Sequence, residues 1–219
     1  NELIKRKMNV EWKCAARIDH LTDELIKLMR KAGCRRMFFG IETGSLRMQK
    51  LMMKNIDLNL AAKHINICRK VGIWTVASFI LGSPTETKED LELTLQAMRK
   101  LNAHFNNICL YHPMPGSEFY RMSIESGKFK EPKKLEEYAN FDVSRFDVNV
   151  SDIDTEYLLQ VHNEKTKETL SKVRYELLMY HLKNHNYKKI IHGLKLKNVR
   201  YISDFLRESI SQIYKDLNK

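Results

Sequence analysis

Residues 73–86 read IWTVASFILGSPTE, and this stretch decides the fold class. Its first part, 73–81, is an almost continuous apolar run that includes β-branched and aromatic side chains. Such a run is typical of a strand that is buried on both faces in a parallel sheet. Gly82 and Pro84 end the run, and Thr87 is placed to cap a following helix. The stretch therefore predicts one strand–loop–helix unit of an α/β fold.

The same unit recurs on both sides of this stretch. We predict two further strands upstream, at 9–18 and 36–41, and one downstream, at 107–111. Two helices are predicted between these upstream strands and 73–81. Capping residues mark their starts at Thr22 and Asp57 and their ends at Gly33 and Gly72. Three strand–helix repeats closed by a strand predict βαβ units with a parallel sheet. That sheet is either open and doubly wound or a slice of a larger barrel.

The buried faces of the helices follow from apolar spacing. In the helix after Thr22 we predict a buried stripe of Leu25, Leu28, Met29 and Ala32. Beyond Gly116 the strand–helix pattern stops, so we expect one domain over 1–122 and a mixed and helical extension over 123–219. In that extension Ser151 and Asp154 resemble a capping box before a long amphipathic helix. A last helix is predicted over 201–217.

Composition excludes several protein classes. The 219 residues are 43% hydrophobic, which is enough for a buried core. No apolar run approaches the roughly 20 residues of a membrane span, and no signal peptide is visible. The four cysteines have no metal-ligand spacing, so we expect no metal ligand in this chain. We expect most of them to be small apolar core residues in a reducing cytoplasm. They are Cys14, Cys34, Cys68 and Cys109.

The formal net charge is +11, and its excess is concentrated near the C-terminus. Residues 172–219 contain eleven Lys or Arg and four Asp or Glu, whereas 120–171 contain eight and eleven. A basic tail can bind nucleic acid or an acidic partner. No aromatic recognition motif accompanies it, which favours a solvated helix face instead.

Polar residues follow all four predicted strands, and glycines accompany them after three of the strands. These segments are 17–19, 40–45, 82–86 and 112–116. The carboxyl ends of parallel strands meet at one edge, where α/β proteins bind ligands. Each residue alone has an ordinary explanation, such as a turn glycine or a solvated glutamate. Together they predict a site for a nucleoside-like or otherwise polar ligand.

The motifs in these segments resemble those of radical S-adenosylmethionine (SAM) proteins of the cobalamin-binding type. WKCAARID at 12–19 resembles the family strand W-x-C-x-x-R-x-D, and FGIETGS at 39–45 resembles G-I-E-S-G-S. FILGSPTET at 79–87 resembles F-I-x-G-x-P-G-E-T, PMPGS at 113–117 resembles P-x-P-G-T, and Lys54 matches a family lysine. The resemblance is continuous over about 9–121.

This resemblance implies a fold and a place within it. We expect a partial (βα)6 TIM-like radical SAM barrel, with strands three to six present, followed by a C-terminal helical extension. The family's three-cysteine motif lies on the first barrel strand. We therefore expect that strand and a cobalamin-binding domain upstream, in a longer parent protein. Thr85 stands where the family has glycine, and because a β-branched residue disfavours positive φ, we expect a rearranged turn there.

The resemblance also implies site residues. It assigns cofactor binding to Gly40, Glu42, Ser45, Ser78, Gly82, Pro84, His112 and Pro113. Glu42 would hold the ribose or the amino group of SAM. Two cations, Arg17 and Lys54, would either neutralise the SAM carboxylate or support Glu42, and both roles stay open. No catalytic residue is assigned.

The implied activity belongs to the parent protein. A 4Fe–4S cluster with ligands outside this chain would cleave SAM reductively to methionine and a 5′-deoxyadenosyl radical, which starts methyl transfer or cyclisation. The partners would be a small-molecule substrate and an electron donor such as flavodoxin or ferredoxin. We expect this chain alone to be inactive and not to bind nucleic acid. The alternatives are a non-catalytic barrel that acts as a binding module and a tRNA-modifying radical SAM enzyme.

Overall fold

A parallel sheet in the order β1-β2-β3-β4 organises the chain. The computed structural model describes residues 1–134, 146 and 148–183. The strands are β1 (Trp12–Ala15), β2 (Cys34–Glu42), β3 (Trp74–Leu81) and β4 (Phe105–Leu110). Because crossovers between parallel strands are almost always right-handed, a sheet in sequential order carries its crossover helices on one face. This arrangement agrees with the partial barrel that the sequence predicts, and it excludes the doubly wound alternative.

Helices connect and follow the strands. They are α1 (Glu2–Lys5), α2 (Asp23–Lys31), α3 (Leu46–Leu51), α4 (Leu58–Val71), α5 (Lys88–Leu101), α6 (Glu118–Glu125) and α7 (Thr155–Lys183). A 3-10 turn at Ile18–His20 precedes α2. Three of the helices, α2, α4 and α5, form the crossovers between consecutive strands.

The predicted helix caps are confirmed. The hydroxyl of Thr22 and the carboxylate of Asp57 accept backbone N–H groups in the first turns of α2 and α4. Thr87 and Asp90 form a reciprocal capping box at the start of α5. Gly72 ends α4 in the left-handed conformation, with φ of 79°. Such caps satisfy backbone groups that helix ends leave unpaired, at about 1 kcal/mol each.

Three local predictions were wrong. β1 occupies Trp12–Ala15 and not 9–18, because only these residues pair with β2. In α2 the fully buried residue is Ile26, whereas Leu25 is 38% exposed. The apolar residues of α2 come in adjacent pairs, so two helical faces fit the spacing equally well. The predicted capping box at Ser151 is a single cap, because Asp154 accepts the N–H of Tyr157.

The core lies between one face of the sheet and the crossover helices. Side chains that alternate along β2 and β3 are fully buried there, notably Phe39, Ile41, Phe79 and Leu81. Burying each of these contributes roughly 2–3 kcal/mol. The intervening residues of the same strands point to the opposite face, which is less covered: Gly40 is exposed, and Ser78 is half-buried. This second face corresponds to the inside of the barrel.

The chain divides after Thr166, and residues 1–166 include the first compact unit. The first unit contains the start of α7, where Leu158 and Val161 belong to the main core. The helix predicted over 201–217 lies outside the described residues. Among the described residues, no helix is both long and apolar enough to cross a membrane.

Candidate active site

The loops that follow the strands lie at one edge of the sheet. They comprise residues 16–19, 43–45, 82–86 and 111–117. All four strands run in the same direction, so these loops are at the carboxyl ends of the strands. This is the edge at which parallel α/β folds bind ligands. The structure therefore brings the polar segments of the sequence to one place.

A polar row crosses the inner face of the sheet just below these loops. Gly40 is in register with Ser78, and Ser78 is in register with Asn107. The side-chain amide of Asn107 donates to Ser78 Oγ at 3.5 Å. Of the three residues, the sequence predicted only Gly40 and Ser78 as ligand contacts.

Glu42 lies in a strained turn at the end of β2. Its φ is +67°, and the N–H of Thr43 donates to the carbonyl of Ile41 at 2.9 Å. A hydrogen bond across three residues with a positive φ at the centre defines the rare, strained form of the γ-turn. The pairing of β2 with β3 changes register at the same point. Strain of this kind persists only where the surroundings enforce it, and it is concentrated at functional sites.

Thr94 of α5 helps to hold this turn. Its buried hydroxyl lies 3.0 Å from the Thr43 hydroxyl and accepts the N–H of Gly44 at 3.0 Å. Gly44 packs so closely on α5 that an added Cβ would lie 2.2 Å from the carbonyl oxygen of Leu93. The loop after β2 is therefore fixed from behind by α5, and the Glu42 side chain remains on the inner face.

Lys54, which follows α3, pairs with Glu42. Lys54 Nζ donates to Glu42 Oε1 at 2.9 Å and to the carbonyl of Gly40 at 3.2 Å. The side chains of Lys54 and Glu42 are 28% and 19% exposed, so solvent screens this ion pair only partly. In this geometry Lys54 supports Glu42, which is one of the two roles that the sequence left open.

Gly40 provides the space in which this pair lies. A Cβ built on Gly40 would be 2.3 Å from Glu42 Oε1 and 3.3 Å from Lys54 Nζ. The distance of 2.3 Å is shorter than the distances that real Cβ atoms show to other atoms. The glycine is thus needed for room and not for an unusual φ, and any side chain here displaces the Glu42 carboxylate.

The turn after β3 is built around the buried carboxyl group of Glu86. Glu86 Oε2 accepts the N–H groups of Gly82 at 2.5 Å and of Ser83 at 3.1 Å. Burial raises the pKa of Glu86 to about 7, although these two N–H groups oppose the rise. Glu86 Oε1 and Ser83 Oγ are buried and have no hydrogen-bond partner among the described residues.

The backbone conformation of Thr85 shows that the expected rearrangement of this turn is wrong. The residue keeps a positive φ of 63°, which the glycine of the family motif would adopt without strain. Arg47 of α3 donates to the Thr85 carbonyl at 2.5 Å and to its hydroxyl at 3.3 Å. The contact with Arg47 therefore accompanies the unfavourable backbone conformation of Thr85.

Ser45 has a supporting position in the site. Its hydroxyl accepts the N–H of Met48 at the start of α3 and donates to Asp90 at 2.5 Å. The residue is 1% exposed. Asp90 also forms an ion pair with Arg47. Ser45 thus connects the loop after β2 to α5, behind the inner face of the sheet.

The outer strands contribute less to the polar centre. Arg17 pairs with Asp19 at 2.7 Å, and that hydrogen bond lowers the pKa of Asp19. After β4, His112 is half-buried and Pro113 is buried.

In the turn after β3, Gly82 faces α7, since a Cβ there would lie 2.9 Å from a methyl group of Leu158. Pro84 is buried beside it in the same turn.

Sequence reasoning missed Arg47, Asp90, Thr94 and Asn107 as members of this region, and it gave no role to Glu86, which lies in the predicted segment 82–86. For Asp90 and Thr94 the only available signal was a polar residue on the apolar face of a helix. Arg47 gave no signal, because its contacts are made 38 residues further along the chain.

A comparison with family models finds a match in the first part of the chain. Residues 2–98, which are 97 of the 219 residues, are similar to the model of the Radical SAM superfamily. The matched segment contains Gly40, Glu42, Lys54 and the turn after β3, whereas the predicted contacts His112 and Pro113 lie beyond it.

The chain is also similar to curated proteins. The chain is 27% identical over 117 residues to an uncharacterized methyltransferase of Pyrococcus horikoshii, covering 53% of this chain and 26% of that protein. It is 34% identical over 122 residues to the anaerobic magnesium-protoporphyrin IX monomethyl ester cyclase of Rubrivivax gelatinosus, covering 55% of this chain and 22% of that protein. The chain thus matches about a quarter of the length of these relatives.

A solved structure supports the fold. Coproporphyrinogen III oxidase (HemN) from Escherichia coli, described as a radical SAM enzyme, matches with a TM-score of 0.52 and 16% identity. The match covers 75% of this chain and 33% of HemN. At this level of identity the match concerns the barrel fold alone.

The residues present do not fit an iron–sulfur cluster. Within the described ranges, no group of three or more His, Cys, Asp or Glu side chains could hold a metal ion. Cys34 and Cys68 are fully buried, and burial raises the pKa of each thiol to about 12. Cluster ligands are thiolates, whereas these groups stay protonated. They are apolar core residues, as predicted, whereas Cys109 is exposed on β4.

The residues present do fit the polar end of SAM. A carboxylate acceptor, an adjacent ammonium group and an uncovered glycine lie together at the ligand-binding edge of the sheet. SAM carries ribose hydroxyls and an ammonium group that a carboxylate recognises, and a carboxylate that a cation recognises.

Proposed function

We propose that this chain is part of a radical SAM enzyme that cleaves SAM reductively at a 4Fe–4S cluster. The observation that carries this proposal is the Glu42–Lys54 pair, held over Gly40 in a strained turn inside the matched segment. The strained turn costs stability, and neither this turn nor the ion pair is required to form the sheet. A ligand-binding role accounts for both.

Glu42 is the proposed anchor for SAM. Its carboxylate accepts hydrogen bonds from the ribose hydroxyls or from the amino group of the methionine part. Lys54 holds one carboxylate oxygen and thereby orients the other. Because Gly40 has no side chain, the ligand can approach the backbone of β2 closely.

The remaining predicted contacts surround this anchor. In our proposal Arg17, whose side chain is 55% exposed, neutralises the SAM carboxylate. Ser78 offers a hydroxyl on the inner face of β3, beside Gly40. In our proposal the turn with Gly82 and Pro84 flanks the adenine, and His112 with Pro113 completes that pocket. Ser45 contributes indirectly, through Asp90.

The cofactors define the rest of the proposal. The cluster, bound by residues outside this chain, supplies the electron that cleaves SAM, and a flavodoxin or ferredoxin reduces the cluster. The resemblance to the cobalamin-binding type adds cobalamin as a further cofactor. The chain's own residues bind SAM, orient it and exclude water from it. The free cysteines suit a reducing compartment, and we place the protein in the cytoplasm.

Two relatives support the choice of reaction class. One is named as an uncharacterized methyltransferase and the other as a magnesium-protoporphyrin IX monomethyl ester cyclase, and the second name describes chemistry on a small molecule. We therefore propose methyl transfer or cyclisation on a small-molecule substrate. One barrel supports both reactions, and the fold does not choose between them.

The complete protein, reconstituted anaerobically with iron and sulfide, provides the test. After reduction in the presence of SAM, we expect 5′-deoxyadenosine and methionine, quantified by mass spectrometry. Glu42→Gln should lower the rate by about tenfold or more, because a neutral amide accepts weaker hydrogen bonds.

Glu92→Gln is the matched control, because it removes a carboxylate from an exposed ion pair with Arg99 and should not change the rate. The proposal fails if the reconstituted protein forms no 5′-deoxyadenosine. If that protein still binds SAM, the non-catalytic binding module becomes the better description.

A further inference from the structure

One side chain connects two of the four loops of the candidate site, those after β2 and β3. Arg47 lies in α3, directly after the loop that contains Glu42. Its guanidinium group reaches the turn after β3 and donates to the carbonyl of Thr85 at 2.5 Å. A second nitrogen donates to the Thr85 hydroxyl at 3.3 Å. Both contacts are made to the one residue of that turn with a β-branched side chain and a positive φ.

The conformation of Thr85 is unfavourable by itself. A left-handed backbone costs a residue with a Cβ the equivalent of about tenfold in population, and more for a β-branched one. Glycine avoids this cost. The Arg47 contacts exist only when the Thr85 carbonyl points towards α3, so they favour the strained conformation over its alternatives.

Arg47 is itself held in place by Asp90. The Asp90 side chain is 7% exposed and forms an ion pair with Arg47. It also accepts hydrogen bonds from Ser45 Oγ at 2.5 Å and from the N–H of Thr87 at 3.0 Å. Burial opposes ionisation of Asp90, but the hydrogen bonds from Arg47, Ser45 and Thr87 outweigh it and lower the pKa to about 2. Asp90 therefore stays charged at neutral pH.

We propose that Arg47 is a positioning residue that holds the strained Thr85 turn and joins it to the Glu42 loop, so that the two halves of the SAM pocket form one unit. The SAM part of this inference rests on the proposed function. The contrasting explanation is an ordinary surface ion pair, because the Arg47 side chain is 48% exposed. Such pairs contribute little to stability and nothing to ligand binding.

Glycine at position 85 separates these explanations. Arg47→Met removes the guanidinium group but keeps a long side chain, so the turn should relax from the conformation with positive φ. Thr85→Gly makes that conformation intrinsically accessible. We therefore expect the Arg47→Met/Thr85→Gly double variant to regain the turn without the arginine, whereas an ordinary ion pair would show no such rescue.

Amide hydrogen exchange measures how stably the turn after β3 is formed in the absence of a ligand. The N–H groups of Gly82, Ser83 and Glu86 all form hydrogen bonds within it. In Arg47→Met these amides should exchange about tenfold faster than in the wild type, and in the double variant within about threefold of it. Arg99→Met, which breaks an exposed pair on the same α5 helix, is the control and should leave them unchanged. Unchanged exchange in Arg47→Met would overturn the inference.

Titration with SAM then tests the functional part. Arg47→Met should weaken SAM binding by about tenfold, and the added Thr85→Gly should restore it to within about threefold. If the wild type does not bind SAM, the proposed function fails, while the exchange data still decide whether Arg47 holds the turn. If Arg47→Met loosens the turn but binds SAM as the wild type does, the positioning role is refuted.

Discussion

Replacing Gly40 with alanine separates ligand binding from stability more cleanly than any other single change. The new Cβ would lie 2.3 Å from Glu42 Oε1, so the carboxylate must move by roughly 1 Å to reach an ordinary contact. This movement breaks the 2.9 Å bond from Lys54 and withdraws the acceptor that we assign to SAM. A lost hydrogen bond to a charged group costs about 1.5–3 kcal/mol.

We therefore expect Gly40→Ala to weaken SAM binding by about 10- to 100-fold. Stability should not fall in parallel. Gly40 is exposed on the inner face and has no positive φ, so alanine reduces the entropy of the unfolded chain by about 0.4–1 kcal/mol. That gain offsets most of the loss of a half-buried ion pair. Urea unfolding should give a free energy within about 1 kcal/mol of the wild type.

Gly127→Ala is the opposite control. Nothing lies within 4 Å of a Cβ at Gly127, but its φ is +70°. This variant should lose about 1 kcal/mol of stability and bind SAM normally. The reasoning is refuted if Gly40→Ala binds SAM as tightly as the wild type while Glu42→Gln does not.

Three further measurements address other parts of the structure. Because the pKa of Glu86 is raised from 4.5 to about 7, the folded state holds a proton that the unfolded state releases, so the free energy of unfolding should fall by about 3 kcal/mol between these pH values. Glu86→Gln should remove that part of the profile, and an unchanged slope would refute the assignment. Ser45→Ala removes both a helix cap and a hydrogen bond to Asp90, and should lower the urea-unfolding free energy by about 1–3 kcal/mol; a change below about 0.5 kcal/mol would contradict this. Iodoacetamide should label Cys109 readily and leave Cys34 and Cys68 unmodified in the native protein, as peptide mass spectrometry can show, and rapid labelling of Cys68 would contradict the burial.

Local signals in the sequence were sufficient for most of the fold. The caps at Thr22, Asp57 and Thr87 depend only on side-chain chemistry within one helical turn, and all three are present. The limits of β1 depend instead on how far β2 runs beside it. Pairing across strands is not visible in the sequence of one strand, and this explains why the predicted strand at 9–18 was too long.

The sequence predicted the edge of the sheet at which the polar segments meet, but not their geometry. The motif around Glu42 indicated a ligand contact, but the strained γ-turn and the pairing with Lys54 arise from how α3 returns to the sheet. Thr85 illustrates the same limit. Its intrinsic preference predicted a changed turn, whereas Arg47, 38 residues away in sequence, accompanies the positive φ.

Backbone NMR of the isotopically labelled chain, titrated with SAM, tests the central claim most directly. We predict that the largest shifts occur at the carboxyl edge of the sheet, at the amides of Gly40, Glu42, Thr43, Ser78 and Gly82. The same titration of Glu42→Gln should require about tenfold more SAM. Shifts confined to the opposite edge, around Arg36 and Trp74, or no shifts at all, would contradict the account.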